Sequence, residues 1–410
     1  MEASLYLHIP FCAGACDYCD FYSVPVRPDG FRPDAFTDAL LAGVRECLAH
    51  FAVNRVPTLY VGGGTPSILG AARIRRLLTG LRSLLPAWPE EVTIEANPES
   101  ADGAFLSACR EGGVNRISLG VQTFHETSRR LVHRVGEGGL LPERLSLVSG
   151  LFPGAFSADL ISGLPGQDEK VLAKDIETLL AFGPAHVSLY ALTAVPKLPG
   201  SPPDDEADRL WLLGRDLLEQ AGYTQYEVSN FSRPGKRSRH NIRYWRMENW
   251  LGAGPSASGT VINDNTGTGR RYTVKADVDA YLALPRPKRE GRITVEALDR
   301  LTLIKETFLM GFRYTEGPDR ELFAARFGAT PEAFIPRTLE RWRERGLLHG
   351  EKTALNRDGL LLLNPFLLDI FEELELNASG GVLPRTSPRG GRDASKHNLA
   401  EKVDASKLKT

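Results

Sequence analysis

Three cysteines fall within eight residues, Cys12, Cys16 and Cys19, spaced C-x3-C-x2-C. Adjacent thiolates repel one another and oxidise, so a group this tight calls for a metal. Structural zinc takes four protein ligands, and this loop supplies three thiols. His8 is close in sequence, but it lies inside a strand-like run and makes a poor fourth ligand. A [4Fe–4S] cluster suits the set better, because three cysteines hold three irons and leave the fourth open to a small molecule. Zinc, or cysteines of no consequence, is the plain alternative. Cys47 and Cys109, the other two of the five, stand alone in helix-like patterns and read as buried free thiols.

Gly62-Gly-Gly-Thr-Pro66 is the next group with chemical meaning. It reads either as a tight turn or as backbone that must approach a ligand closely, since consecutive glycines are costly to order. Its N–H and C=O groups suit an amino-acid-like moiety. Glu95, Gln122, Arg134 and Asp159 are each unremarkable alone. Together they offer carboxylates for a ribose or an ammonium, and a cation for a carboxylate. His240-Asn-Ile-Arg-Tyr-Trp245 puts an imidazole beside two amphipathic aromatics. That is either a packed loop or an axial ligand to a flat apolar macrocycle. Gly252-Ala-Gly-Pro-Ser-Ala257 follows, again suggesting close backbone approach.

The elements that must position these groups alternate. Strand-like runs at 4–9, 58–62, 92–96, 116–120, 157–161 and 186–191 are separated by helix-like patterns such as 36–51, 74–85, 102–111 and 169–181. Six β-α units in a row predict an α/β fold with a parallel sheet, doubly wound or closed towards a barrel. Ligands in such folds sit at the carboxyl ends of the strands, where the cysteine loop, the glycines, Glu95, Gln122, Asp159 and Ala191 all fall. Residues 196–203 carry four prolines and read as a connector, followed by a helix at 206–220. The stretch 231–269 reads as loops. Helices at 301–312, 320–326 and 331–345, then a hairpin turning at 356–359, predict a helical, winged-helix-like module. Residues 377–410 have no aromatic side chain and an excess of Lys and Arg, which predicts a disordered tail.

Acidic and basic residues number 51 and 50, for a net charge of -1. This balance gives no general pull towards nucleic acid. No apolar run approaches the length of a membrane span, and no basic, signal-like segment precedes the first strand. A cytoplasmic protein without nucleic-acid partners or a transmembrane segment is expected.

The motifs together resemble a known family. His8-Ile-Pro-Phe-Cys12-x3-Cys16-x-Tyr-Cys19 is similar to the signature of radical S-adenosylmethionine (SAM) proteins around oxygen-independent coproporphyrinogen III oxidase. The glycine motif, Glu95-Ala-Asn-Pro98, 118–122, 159–165, His240-Asn-x2-Tyr-Trp245 and Gly252-x-Gly-x-Ser-Ala257 match in order and spacing, over about residues 4–375. Oxidases of this group carry a further cysteine where Phe21 stands here, and an N-terminal arm. The Asp20-Phe21 continuation resembles instead the HemW haem chaperones, which are thought to bind haem and pass it to acceptor proteins.

The resemblance implies a partial (β/α)6 radical-SAM barrel over 1–200, an extension over 201–297 that carries the His240 motif, and the carboxy-terminal module over 298–376. It implies a [4Fe–4S] cluster on Cys12, Cys16 and Cys19, with SAM chelating the open iron. Tyr6, Tyr18 and Asp20 match cofactor contacts around the loop, and Gly63, Gly64 and Thr65 match contacts to the methionine end. Glu95, Gln122, Arg134 and Asp159 match contacts to the rest of SAM, and Ala191 a backbone contact near the adenine. His240 becomes the candidate for haem. An electron donor is implied if radical chemistry occurs, and coproporphyrinogen III oxidation is the alternative activity. One departure is Gly136, where related chaperones often have histidine; its glycine-rich surroundings are unusual for a helix start.

Overall fold

The computed structural model describes residues 1–26, 31–193, 197–283 and 292–380. Two compact units divide the chain, one of residues 1–240 with 252–257, the other of 241–251 with the residues from 258 onward.

The first unit is built on six parallel strands in sequential order: β1 (Ser4–Ile9), β2 (Thr58–Gly63), β3 (Glu91–Ala96), β4 (Arg116–Gln122), β5 (Phe156–Ser162) and β6 (His186–Ala191). Helices Pro33–His50, Gly70–Leu84, Gly103–Glu111, Leu141–Leu151 and Glu169–Leu180 make the crossovers. After helix Asp204–Gln220, two short strands, β7 (Thr224–Gln225) and β8 (Asn230–Ser232), extend the sheet antiparallel beyond β6. The α/β fold with a parallel sheet expected from the sequence is the one observed.

Each parallel strand alternates in character along its length. Leu5, Leu7 and Ile9 of β1, Val92, Ile94 and Ala96 of β3, and Ile117, Leu119 and Val121 of β4 are fully or almost fully buried. The intervening positions are polar or small: Ser4, Tyr6 and His8; Thr58, Tyr60 and Gly62; Glu91, Thr93 and Glu95; Arg116, Ser118 and Gly120; Ser157 and Asp159. Successive side chains of a strand point to opposite faces. One face is therefore hydrocarbon throughout, and the other carries the polar chemistry. A bulge between Gly120 and Gln122 shifts the β4–β5 register, and Gln122 has φ +69°. Bulges of this kind re-aim a side chain at the end of a strand.

The second unit holds an antiparallel meander, β9 (Ser258–Asn263), β10 (Thr268–Val274) and β11 (Ile293–Leu298). The reading of 231–269 as loops is corrected here, because the stretch also contains the short helix Arg239–Trp245. Helices Arg300–Gly311, Arg320–Phe327, Pro336–Glu344 and Leu363–Ser379 pack around Phe308, Phe312, Phe323, Phe334, Trp342 and Phe366, all buried. Trp342 and Phe366 lie 4.7 Å apart.

The hairpin expected to turn at 356–359 does not form. Asn356 instead caps helix Arg357–Leu361, accepting from the N–H groups of Asp358 and Gly359 at 3.2 and 2.9 Å. Only the single bridge between Leu348 and Leu355 remains of a wing among the described residues. The last helix runs to Ser379, past the expected start of the tail at 377. The rest of the tail, 381–410, and Pro196 of the proline-rich connector lie outside the described residues. Among the described residues no helix is long and apolar enough to cross a membrane.

Candidate functional site

A cavity of about 650 Å³ opens at the carboxyl ends of β1–β6. That volume is in the range of sites for small-molecule cofactors. The loop after β1 forms one wall. Backbone bonds hold its base: the N–H of Val24 donates to Pro10 O at 2.6 Å, Val26 to Cys12 O at 2.8 Å, and Thr65 to Phe11 O at 2.7 Å. Phe11 anchors it further by packing edge-on against Phe36 at 4.9 Å. Cys12, Cys16 and Cys19 all line the cavity. Cys12 Sγ lies 3.4 Å from Thr65 Oγ1, which also accepts from Asn97 Nδ2 at 3.0 Å.

The three glycines are demanded by neighbours within the chain as well as by any ligand. A Cβ on Gly64 would stand 2.7 Å from Phe11 O. Gly63 has φ +110°, and a Cβ there would meet the His8 ring at 2.6 Å. A Cβ on Gly62 would meet Glu95 Oε2 at 2.7 Å. His8 is held by Tyr6 OH on Nδ1 and by Tyr22 O on Nε2, each at 2.9 Å, so neither nitrogen is turned to the cysteines.

Two acids face the cavity from β3 and β5. Glu95 accepts from Tyr60 OH at 2.7 Å and from the N–H of Gly63 at 3.0 Å. Burial pushes its carboxyl up to about 7, with the Asp159 charge adding to the rise. Burial likewise pushes Asp159 up to about 6, against the lowering pull of hydrogen bonds from Ser188 and Ser118. A cation placed between them would favour their charged forms.

Arg134 reaches the site from a segment fixed by a second arginine. Its Nη2 donates to Gly120 O at 2.8 Å, its Nη1 lies 3.9 Å from Cys16 Sγ, and its Nε is buried without a partner. Arg129, almost wholly buried, donates to the carbonyls of Val121, Thr123, Val135 and Gly136 and to Glu99. Gly136 has φ +83°, and a Cβ there would come within 2.2 Å of Glu99. The missing histidine therefore has a local cause. A side chain at 136 would displace an acid that Arg129 holds.

Ten of the twelve cofactor-contact candidates line the cavity: Tyr18, Asp20, Gly63, Gly64, Thr65, Glu95, Gln122, Arg134, Asp159 and Ala191. Tyr6 sits behind His8 and outside the lining. His240 is also outside it, buried among Thr58, Tyr60 and Glu91. Sequence reasoning passed over Tyr60 and Glu99, and took Ser118 only as part of the 118–122 motif. The period-two alternation of polar residues along the strands was the signal that marks Tyr60 and Ser118.

The donor set fits an iron–sulfur cluster with a small cationic zwitterion beside it. Three thiols share one wall, a buried guanidinium nitrogen lacks a partner, and two acids sit in low-dielectric surroundings. Among the described residues no three His, Cys, Asp or Glu side chains converge on a single ion position. A cubane binds each thiolate through a different iron, so its ligands need no common centre.

Residues 6–179 match the model of the Radical SAM superfamily, and 298–362 match the HemN C-terminal domain. The Escherichia coli (strain K12) protein named heme chaperone HemW is 33% identical over 383 residues, covering 90% of this chain and 97% of that protein. The chain belongs to the HemW family of radical SAM proteins. A second relative, radical S-adenosyl methionine domain-containing protein 1, mitochondrial, of Bos taurus, is 33% identical over 415 residues, covering 95% and 91%. In fold, the chain is similar to the coproporphyrinogen III oxidase HemN of Escherichia coli, with a TM-score of 0.76 at 23% identity over 90% of each chain. Phe21, where the resemblance to the oxidases breaks off, stands 67% exposed beside the cysteines.

Proposed function

We propose that this chain binds haem and passes it to acceptor proteins, with a [4Fe–4S] cluster on Cys12, Cys16 and Cys19 and SAM in the adjoining cavity. The observation that carries the reading is the likeness, over nearly the whole of both chains, to a protein named heme chaperone HemW. When bound, the cluster would supply the electron for reductive cleavage of SAM. The chain's own residues bind and orient. Arg134 takes the carboxylate, Thr65 and the backbone of Gly63 and Gly64 meet the methionine end, and Glu95 and Asp159 take the ammonium or ribose hydroxyls. Tyr18, Asp20, Gln122 and Ala191 complete the enclosure. The layout is read as a barrel core over 1–200, an extension over 201–297 and a carboxy-terminal module over 298–376.

The test is anaerobic reconstitution, followed by two assays on one sample: haem titration by absorbance and turnover of coproporphyrinogen III. Stoichiometric haem binding, transfer to an apo-acceptor and no protoporphyrinogen are expected. Turnover with consumption of SAM would overturn the reading in favour of the oxidase.

A further inference from the structure

The His240 motif is the one prominent sequence feature that the cavity does not absorb. On the polar face of β2, Thr58, Tyr60 and Gly62 follow one another towards the carboxyl end, and His240 meets the first two. Its Nδ1 lies 2.8 Å from Thr58 Oγ1, and its ring stacks on that of Tyr60 with centroids 5.1 Å apart and planes at 30°. Its backbone N–H donates to Glu91 Oε1 at 2.8 Å, and that of Arg239 to Glu91 Oε2 at 3.0 Å. The residue is 1% exposed. A porphyrin needs an open approach along the iron–nitrogen axis, and no such face of the imidazole reaches solvent here.

What His240 does touch leads to the cofactor cavity in two steps. Tyr60, backed by the imidazole, donates a hydrogen bond from its hydroxyl to Glu95 at 2.7 Å, and Glu95 forms part of the cavity wall. Hydrogen bonds weaken steeply with misalignment. A flat group behind the phenol ring therefore governs whether its hydroxyl meets the carboxylate. Without it the ring can tilt, and Glu95 would lose one of its two donors in a buried setting, where an unmet polar group is costly.

We infer that His240 is a positioning residue for the SAM side of the cavity, acting through Tyr60 on Glu95, and is not an axial ligand to haem. The inference rests on the reading of the cavity as a SAM site, and the experiment separates failure of one from failure of the other.

SAM binding to cluster-loaded protein is measured by equilibrium dialysis, and haem binding by the absorbance spectrum. The variants are His240→Ala, His240→Phe, Tyr60→Phe and the His240→Ala/Tyr60→Phe pair. Phenylalanine keeps a flat ring against Tyr60 and cannot ligate iron. The expected loss of SAM affinity is about tenfold in His240→Ala, as for one hydrogen bond to a buried charged group. His240→Phe restores most of that loss, and the double variant is no weaker than Tyr60→Phe alone, since acting through one partner makes the effects non-additive. All variants keep the wild-type haem spectrum. A changed haem spectrum in both His240 variants, SAM affinity unaltered by His240→Ala, or additive losses in the pair would each overturn the inference. Absence of SAM binding by the wild-type holoprotein would overturn the cavity reading, and this inference with it.

Discussion

Replacing Glu95 by glutamine should make the cofactor-free protein more stable in alkaline solution and leave it unchanged in acid. The carboxyl titrates near 7 in the fold against an ordinary 4.5, chiefly through burial. The folded state thus holds this proton more tightly than the unfolded chain does. Below the ordinary value both states are protonated and ionisation contributes nothing. As pH rises from 4.5 the unfolded chain ionises first, and the native state is penalised until the folded group ionises near 7. The gap, at about 1.36 kcal/mol per pH unit, sets a ceiling of about 3.4 kcal/mol. Glutamine removes that penalty and can keep both contacts. Its carbonyl accepts from Gly63, while its amide donates to a Tyr60 hydroxyl that has turned over. Because the value near 7 already includes the two hydrogen bonds that the carboxylate accepts, the net gain above pH 7 approaches that ceiling, about 3 kcal/mol. Urea unfolding at about pH 4 and about pH 8 measures this directly. A gain that is the same at both values, or a loss at the higher one, would refute the account of Glu95 as a buried acid kept short of a cation. SAM, which carries that cation, should bind the variant more weakly.

Other expectations follow from groups outside the acids. Arg129→Ala takes a donor away from four carbonyls and from Glu99, and should cost about 3–5 kcal/mol in urea unfolding. Unfolding free energy within about 1 kcal/mol of wild type would show that the segment leading to Arg134 is held some other way. Asn356→Ala removes a helix cap and should cost about 1 kcal/mol. Were position 356 a hairpin turn instead, Asn356→Gly would be better tolerated than Asn356→Ser; a cap should accept serine.

Most of what positions the candidate site could be read from the chain, for a physical reason. A parallel strand with helices on one side and a polar cavity on the other must alternate, and β1 and β6 begin and end where that alternation does. The cavity residues sit at strand ends, so finding the strands found most of them. Residues 356–359 were misleading because Asn and Gly serve turns and helix starts through the same chemistry, a side-chain oxygen accepting nearby N–H groups. The stretch 231–269 hid its strands for a related reason. Gly259 lies in β9 where a Cβ would fall 2.5 Å from the Tyr272 ring of β10, so a residue that looks like loop serves a close pairing. The partnership of His240 with Tyr60 spans 180 positions and leaves no local mark.

The placement of the five thiols has a practical consequence for handling the protein. Cys47 and Cys109 are buried, and burial pushes the Cys109 thiol up, so both should react slowly with an alkylating reagent. Cys12, Cys16 and Cys19 are partly or fully exposed. Mass spectrometry of briefly alkylated protein should then find three labels on the cluster-free form, none on the loaded form and five after denaturation. The two slow thiols act as an internal standard, so the fraction of molecules carrying a cluster can be counted without relying on colour or iron assays.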